Sequence, residues 1–349
     1  MTSPLHGGKA PAWLFGRMKL LAREIVCAMR EDHEAEVVLA KLSDPYWFQC
    51  LGCVLGFDWH SSGVTTTVCG ALKEGVKGIE ADLGLWVAGG KGKASRRTPE
   101  EIARACEACG APGDRLVYSS RMSAKVDSSA VQDGYQIYHH AFFFTRRGEW
   151  AVVQQGMDET SRTARRYHWL GEGVQDFVCE PHAAIAADER RQQVLNLVAG
   201  ESGGCREAST EIARSSPMQS QKLAAALPRR HEVDPEKDVD PRHLHRVLVK
   251  TYEAQPRGFE ELLGIRGVGP KALRALSLLS EVIHGEAPSF RDPARFSYAH
   301  GGKDGTPYPV DRRTYDSTIE TVKRAVEASK VGNRTRLEAI RRLARFYDI

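Results

Sequence analysis

The run Phe259-Glu260-Glu261-Leu262-Leu263-Gly264-Ile265-Arg266-Gly267-Val268-Gly269-Pro270-Lys271-Ala272-Leu273 leaves its chain few conformational choices. Apolar residues at helical spacing flank three glycines and a proline, which predicts two helices joined by a tight turn. Gly264 is expected to end the first helix, where a residue with positive φ is favoured. Ile265 and Val268 are expected to face inward and tie the turn to both helices. Gly267 and Gly269 remove side chains, so that backbone amides can approach an anion. Pro270 suits the first turn of the second helix, whose free N–H groups and positive dipole end attract that anion. Lys271 adds a point charge beside it.

This pattern resembles the helix-hairpin-helix motif, which implies contact with a nucleic-acid backbone through Gly267, Gly269 and Lys271. Such contacts hold the backbone and carry little sequence information. The alternative is an ordinary packing element of two helices and a Gly-rich turn. Charge is also asymmetric: residues 241–349 hold 20 Lys and Arg against 13 Asp and Glu, and the first 240 hold 29 against 32. A basic C-terminal part on a nearly neutral body suits a polyanion, although a solvated arginine-rich surface explains the charge equally well. DNA is the expected partner.

The 349 residues are enough for two domains, and 42% hydrophobic with 27% charged residues is the composition of a soluble globular protein. No apolar run approaches the ~20 residues that span a bilayer. Residues 1–9 lack the apolar core of a secretory signal, so a cytoplasmic location is expected. Eight cysteines include two Cys-x-x-Cys pairs, Cys50/Cys53 and Cys106/Cys109, on paper a four-thiolate zinc site. Cys50 and Cys53, however, lie inside the apolar run Tyr46–Leu55, which reads as a buried helix. Packed, reduced thiols are expected rather than zinc.

The fold class expected is α+β. Residues 1–200 read as a mixed α/β domain with a small sheet and a central hairpin. Residues 201–240 read as a linker or mobile segment, because Ala199–Gln221 is poor in large apolar residues. Residues 241–349 read as an all-helical domain carrying the hairpin described above. Ser43-Asp44-Pro45 predicts a capped helix start, and another helix is expected from about Gly63 to Asp82. Leu85–Ala88 reads as a buried strand. Gly89-Gly90-Lys91-Gly92-Lys93 after it is a phosphate-binding arrangement in principle, without Walker spacing. Asp133–Thr145 and Trp150–Gly156 read as a hairpin. If Thr145 faces Trp150, Ala141 lies opposite Gln154 and His140 opposite Gln155. The stretch His284–Arg313 is long for a structureless connection, and such loops are usually functional.

Several blocks together resemble a family catalogued as domain-of-unknown-function 763. They are Leu5–Pro11, Gly56–Gly63, Ala124–Asp127, Gln132–Tyr135, Val153–Met157, Arg165–Trp169 and Ala299–Gly305. The resemblance runs nearly the full length of the chain and implies no particular chemistry.

The polar blocks of the first 170 residues supply candidates for that chemistry. A hydrolytic nuclease needs carboxylates to hold hard divalent ions, Mg or Mn, against a phosphate. Asp58, Asp127 and Asp133 are the expected metal group, with His60 or His140 as proton-transfer partner. Lys91, Lys93, Arg121, Lys125, Arg165 and Arg166 are expected to neutralise phosphate charge. His-Gly-Gly-Lys occurs at His6–Lys9 and again at His300–Lys303, which adds His300 and Lys303 to the expected DNA contacts. A metal-dependent DNA nuclease is therefore the favoured reading. Its rival is a non-catalytic DNA-binding or scaffolding protein in which Tyr138, His139, Gln154 and Gln155 form a surface for bases. A second alternative is base-excision glycosylase chemistry, since Tyr308-Pro309-Val310-Asp311 looks similar to the Pro-Val-Asp segment of those enzymes. Asp311, however, lies 40 residues after Lys271, about twice the separation that family leads one to expect. Each carboxylate, taken alone, reads better as a helix cap or an ion-pair member than as a metal ligand.

Overall fold

The computed structural model describes residues 11–56, 63–187, 190–218, 241–295, 312–330 and 332–344. Helices α1 (Ala12–Asp32), α2 (Ala35–Ser43), α3 (Pro45–Leu55), α4 (Gly63–Val76) and α5 (Glu80–Leu83) precede strand β1 (Leu85–Lys91). Helices α6 (Lys93–Arg96), α7 (Thr98–Cys109) and α8 (Gly113–Lys125) lead through a π-helical turn, Val126–Ala130, into β2 (Val131–Gln132). Strands β3 (Gln136–Thr145), β4 (Trp150–Asp158), β5 (Thr163–Leu170), β6 (Ala184–Ala187) and β7 (Leu195–Asn196) follow. The remainder is helical: α9 (Gly203–Arg214), α10 (Pro241–Ala254), α11 (Phe259–Gly264), α12 (Pro270–His284), α13 (Arg312–Ala328) and α14 (Asn333–Ala344). The chain is α+β, as expected.

Five antiparallel strands form the main sheet in the order β1-β3-β4-β5-β6, and β2 pairs with β7 beside it. Its centre is the β3–β4 hairpin, whose three consecutive phenylalanines explain why both faces are covered. Phe142 and Phe144 point with Trp150, Val152 and Trp169 into one core, and Phe143 points with Ala151 and Val153 into the other. Period-2 alternation sends neighbours to opposite faces, so a continuous apolar run requires a layer of helices on each side. Burial of each Phe contributes about 2–3 kcal/mol. Helices α1 to α4 cover the Phe143 face, joined by Val322, Val326 and Ala339 of α13 and α14. Helices α7 to α12 supply the other core.

Neither core stops at the expected domain boundary. Leu262, Val268 and Leu273 of the C-terminal part share one core with Phe142 and Trp169 of the sheet. The stretch expected to be a linker contains α9, whose Cys205, Ile212 and Ala213 are buried in that same core. Small residues misled the composition argument here: they let α9 pack closely on its neighbours. Residues 219–240 lie outside the described residues. Part of the long stretch after α12 is also structural, since Asn196 N donates to Ser289 O at 2.9 Å and Val194 N to Phe290 O at 3.0 Å.

The hairpin register differs by one residue from the expected one. Phe144 lies opposite Trp150, His140 opposite Gln154 and His139 opposite Gln155. The reason is the turn: Thr145 N donates to Glu149 O at 2.9 Å, so the loop has three residues and ends at Gly148, with φ 95°. A three-residue loop with a left-handed glycine moves every downstream pair by one. Elsewhere local signals sufficed. Asp44 Oδ1 caps α3 by accepting from Tyr46 N at 2.8 Å and Trp47 N at 3.2 Å. The helix expected from Gly63 to Asp82 is broken after α4, and Gly78 in the break has φ 85°.

Gly89 and Gly90 belong to strand β1, opposite Ala141 and His140. Gly89 N donates at 2.8 Å to Glu101, which also pairs with Lys73 at 2.6 Å, so this amide serves the fold rather than a phosphate. A Cβ at position 89 would stand 2.2 Å from His140 O, at a φ of 93°. Gly89→Ala is therefore expected to cost about 3 kcal/mol or more, and Gly110→Ala, left-handed but uncrowded, about 1–2 kcal/mol. Chemical denaturation of both variants checks the difference; equal losses would remove the close-approach explanation.

Candidate functional site

At one end of the sheet the apolar alternation gives way to polar residues on both faces. On the Phe142 face, the π-helical turn after α8 directs Asp127 inward, where it is fully buried. π-Helical turns of this kind often mark functional positions. Asp127 Oδ2 accepts from Trp169 Nε1 at 3.0 Å and from Gln154 Nε2, and its Oδ1 accepts from His182 Nε2 at 2.5 Å. The carboxylate fixes the rest of the chain of bonds. Because the Gln154 amide nitrogen faces Asp127, its oxygen faces His140 Nδ1 at 2.9 Å. His140 then carries its proton on Nδ1, and Nε2 accepts from Ser120 Oγ at 2.9 Å. Burial pushes the His140 pKa down to about 4, so the ring is neutral at pH 7.

Beside this network Arg165 is wholly buried between two carboxylates. It donates to Asp133 at 3.0 Å and forms a two-pronged contact with Asp292 at 2.9 and 2.7 Å. Tyr167 Oη donates to Asp133 at 2.6 Å, and Tyr135 N adds a bond at 3.0 Å. Asp292 also accepts from Arg191 N at 2.6 Å and Ala294 N at 2.9 Å, and its contact with Arg165 anchors residues 289–295 to β5.

The opposite face carries His139, Gln155, Arg166 and His168. Arg166 donates to Gln49 at 3.0 Å and to His168 Nε2 at 2.8 Å, while His168 Nδ1 donates to Leu42 O at 3.0 Å. Burial and then Arg166 hold the His168 pKa well below the usual range. His139 is 1% exposed, and neither ring nitrogen has a partner among the described residues. Burial pushes its pKa down to about 3.

The Asp127 network reaches the surface through His182. That ring lies 4.5 Å from Trp169 and lines a cleft of about 640 Å³. Arg190, Arg191, Arg291, Arg295, Glu180 and Glu201 also line the cleft. Arg191 is shared with a second cavity of about 410 Å³, lined by Gln132, Gln192, Gln193 and Arg274 among others. Gln132 in turn donates to Pro270 O at 2.9 Å and accepts from Arg274 at 3.0 Å. The second cavity thereby borders the start of α12.

Helices α11 and α12 are joined by Ile265–Gly269, with Leu262, Leu263 and Val268 buried and Arg266, Gly267 and Lys271 exposed. The positive φ falls at Gly267, 108°, and not at Gly264, because α11 runs through Gly264 and exits into extended backbone at Ile265. No side chain caps α12, and a Cβ on Gly269 would meet nothing within 4 Å. Lys125, at the end of α8, donates to Val268 O in the turn, and burial lowers its pKa.

Several expected site residues thus change role. Asp127 and Asp133 share a sheet face, yet their oxygens are turned to protein donors, a set that fits a fixed polar network better than an ion's shell. Among the described residues no three His, Cys, Asp or Glu side chains are grouped as metal ligands. His140 lies two bonds behind Asp127, out of reach of a ligand. Arg165 and Arg166 are 0% and 1% exposed and so are not available to a DNA phosphate. They belong to β5, an interior strand covered on both faces. The same burial removes the surface expected of His139, Gln154 and Gln155. Lys91 and Lys93 are exposed at the end of β1 and on α6. Asp58, His60, His300, Lys303 and Asp311, with His6–Lys9, lie outside the described residues. Cys50 and Cys53 are buried in α3, and burial raises the Cys50 pKa.

Sequence reasoning missed His182, Asp292, Arg190 and Arg191. None lies in a periodic element, and the one available signal for Asp292 was the length of its loop. No described helix is long and apolar enough to cross a membrane. No curated protein and no solved structure matches the chain. A family model described as "Protein of unknown function (DUF763)" matches residues 1–310, and the chain belongs to that family.

Proposed function

We propose that this protein binds a nucleic-acid backbone at the α11–α12 turn, in the manner of a helix-hairpin-helix. The observation that carries the reading is the uncapped start of α12, with free space beside the half-buried Gly269 and Lys271 exposed next to it. Amide donors, helix dipole and lysine then converge on one anion. Val268 locks the turn to the core, so the donors are held in place before a ligand arrives. DNA is the expected ligand, with affinity that falls steeply as salt is raised.

Gly269→Glu places a carboxylate where a phosphate would sit, at a position whose backbone and surroundings accept a side chain. It is expected to weaken binding of duplex or single-stranded DNA at least tenfold without moving the melting temperature. Fluorescence anisotropy at two salt concentrations measures this. Unchanged affinity with an intact fold would exclude the turn as the contact.

Phosphodiester hydrolysis remains the favoured enzymatic reading, with the chemistry in the cleft beside His182 rather than on Asp127 and Asp133 as metal ligands. What supports this is that both carboxylates are already engaged, whereas His182 opens to a cleft bearing arginines. Incubation of DNA with the protein, with and without Mg²⁺ or Mn²⁺, tests for cleavage. Binding without cleavage under every metal condition would favour a non-catalytic DNA-binding role.

A further inference from the structure

We propose that the cleft between the His182 segment and the Ser289–Arg295 segment binds a phosphate ester of nucleotide size, with His182 as its proton-transferring catalytic residue. The substrate class rests on the nucleic-acid reading above; the geometry does not.

A cavity of about 640 Å³ is in the ordinary range of small-molecule sites. It takes a nucleotide from a single strand, a strand end or a flipped-out base, and no intact duplex. His182 stands at the junction between this cleft and the buried network. Its Nε2 is committed to Asp127, and its ring rests against Trp169 at 4.5 Å. Nδ1 has no hydrogen-bond partner among the described residues, and it is the atom left for a ligand's proton. Asp127 itself is immobilised by Gln154 and Trp169, and Gln154 by His140. A base oriented by a buried carboxylate, itself held by further hydrogen bonds, is the arrangement proton transfer requires.

The walls supply the phosphate recognition. Arg291 and Arg295 pair with Glu201 at 3.3 Å and Glu180 at 3.7 Å, all four side chains being well exposed. Exposed pairs of this kind have little net energy, and guanidinium matches a phosphate better than a single carboxylate oxygen. Arg191 is positioned more firmly, bonded to Ser161 at 2.9 Å and lying 4.9 Å from the Tyr135 ring centre. In the proposed step, a water oxygen bonds to phosphorus while the bond from phosphorus to one ester oxygen breaks. The water's proton passes to His182 Nδ1 and from there to the departing oxygen. A diester and water thus give a monoester and an alcohol.

The test uses the full chain with adenosine 5′-monophosphate and inorganic phosphate as binding probes. Bis(4-nitrophenyl) phosphate serves as a diester substrate too small to need the hairpin. Saturable binding of the nucleotide by calorimetry, weakened at least tenfold in Arg291→Ala and Arg295→Ala, is expected. His182→Gln keeps a donor for Asp127 but cannot carry the proton, so kcat should fall at least a hundredfold with KM within twofold. Thermal melting confirms that each variant is folded. Absence of saturable nucleotide binding in the unaltered protein would overturn the site. Hydrolysis by His182→Gln at the original rate, or none by the unaltered protein despite binding, would overturn the catalytic role. The hairpin is judged separately, by the duplex affinity of Gly269→Glu, so the two failures are distinguishable.

Discussion

Lowering the pH from 7 to 5 is expected to remove about 4 kcal/mol of folding stability, about 2 kcal/mol from each of His139 and His140, and a further amount from His168. All three rings are buried, and burial is the first cause that depresses each pKa, to about 3 for His139, to about 4 for His140 and well below the usual range for His168. Unfolding frees each ring to bind a proton near pH 6.5, so the unfolded chain holds more protons than the folded one between about pH 6.5 and 4. Stability from these groups is fully present above pH 6.5 and is lost as the pH falls through that window. A loss of this size approaches the whole stability of an ordinary domain. Denaturant unfolding at pH 7, 6 and 5 measures it. His139→Leu, which removes a ring with no partner, should flatten the acid limb by about 2 kcal/mol. A curve flat to within 1 kcal/mol over this range would show that the rings are not buried as described.

Arg165→Ala is expected to destabilise the protein by about 3–5 kcal/mol. The substitution leaves Asp133 and Asp292 buried without their shared cation. Replacement of such a triad by apolar residues is often neutral, so the pair says little about net stability by itself. Its consequence is positional, because Arg165 joins an interior strand of the sheet, β5, to the Asp292 segment that forms one wall of the cleft. Arg165→Ala should therefore also increase proteolytic cutting near residue 292 and weaken nucleotide binding. A loss below 1 kcal/mol with unchanged cutting would mean that the segment is held well enough without Arg165, by its contacts to Arg191, Val194, Asn196 and Ser202.

Local chemistry was legible at several places where it depended on a few neighbouring residues. The Asp44 cap, the Gly-rich turn before Pro270 and the two-sided apolar hairpin all follow from side-chain type and spacing. The same reasoning failed at Gly148, where a single left-handed glycine shifted the register and put His140 beside Gln154 instead of Gln155. It failed again at Arg165 and Arg166. A pair of arginines in a polar block looks like a basic surface until the segments that cover both faces of its strand are known, here those of Asp133 and Asp292 on one side and α3 on the other.

By itself, then, the sequence determined the element types, the central hairpin and the helix–turn–helix at Phe259–Leu273, because propensity, periodicity and capping act over a few residues. Tertiary structure alone decided that one core runs through both halves of the chain and that Asp127 faces His182 across 55 positions. It also decided that residues near 292 close the cleft. These are contacts between segments far apart in the chain, and no local pattern encodes which buried carboxylate will meet which cation. Their selection comes from the cost of burying a charge unpaired, a cost that exists only once the sheet and its two helical layers have assembled.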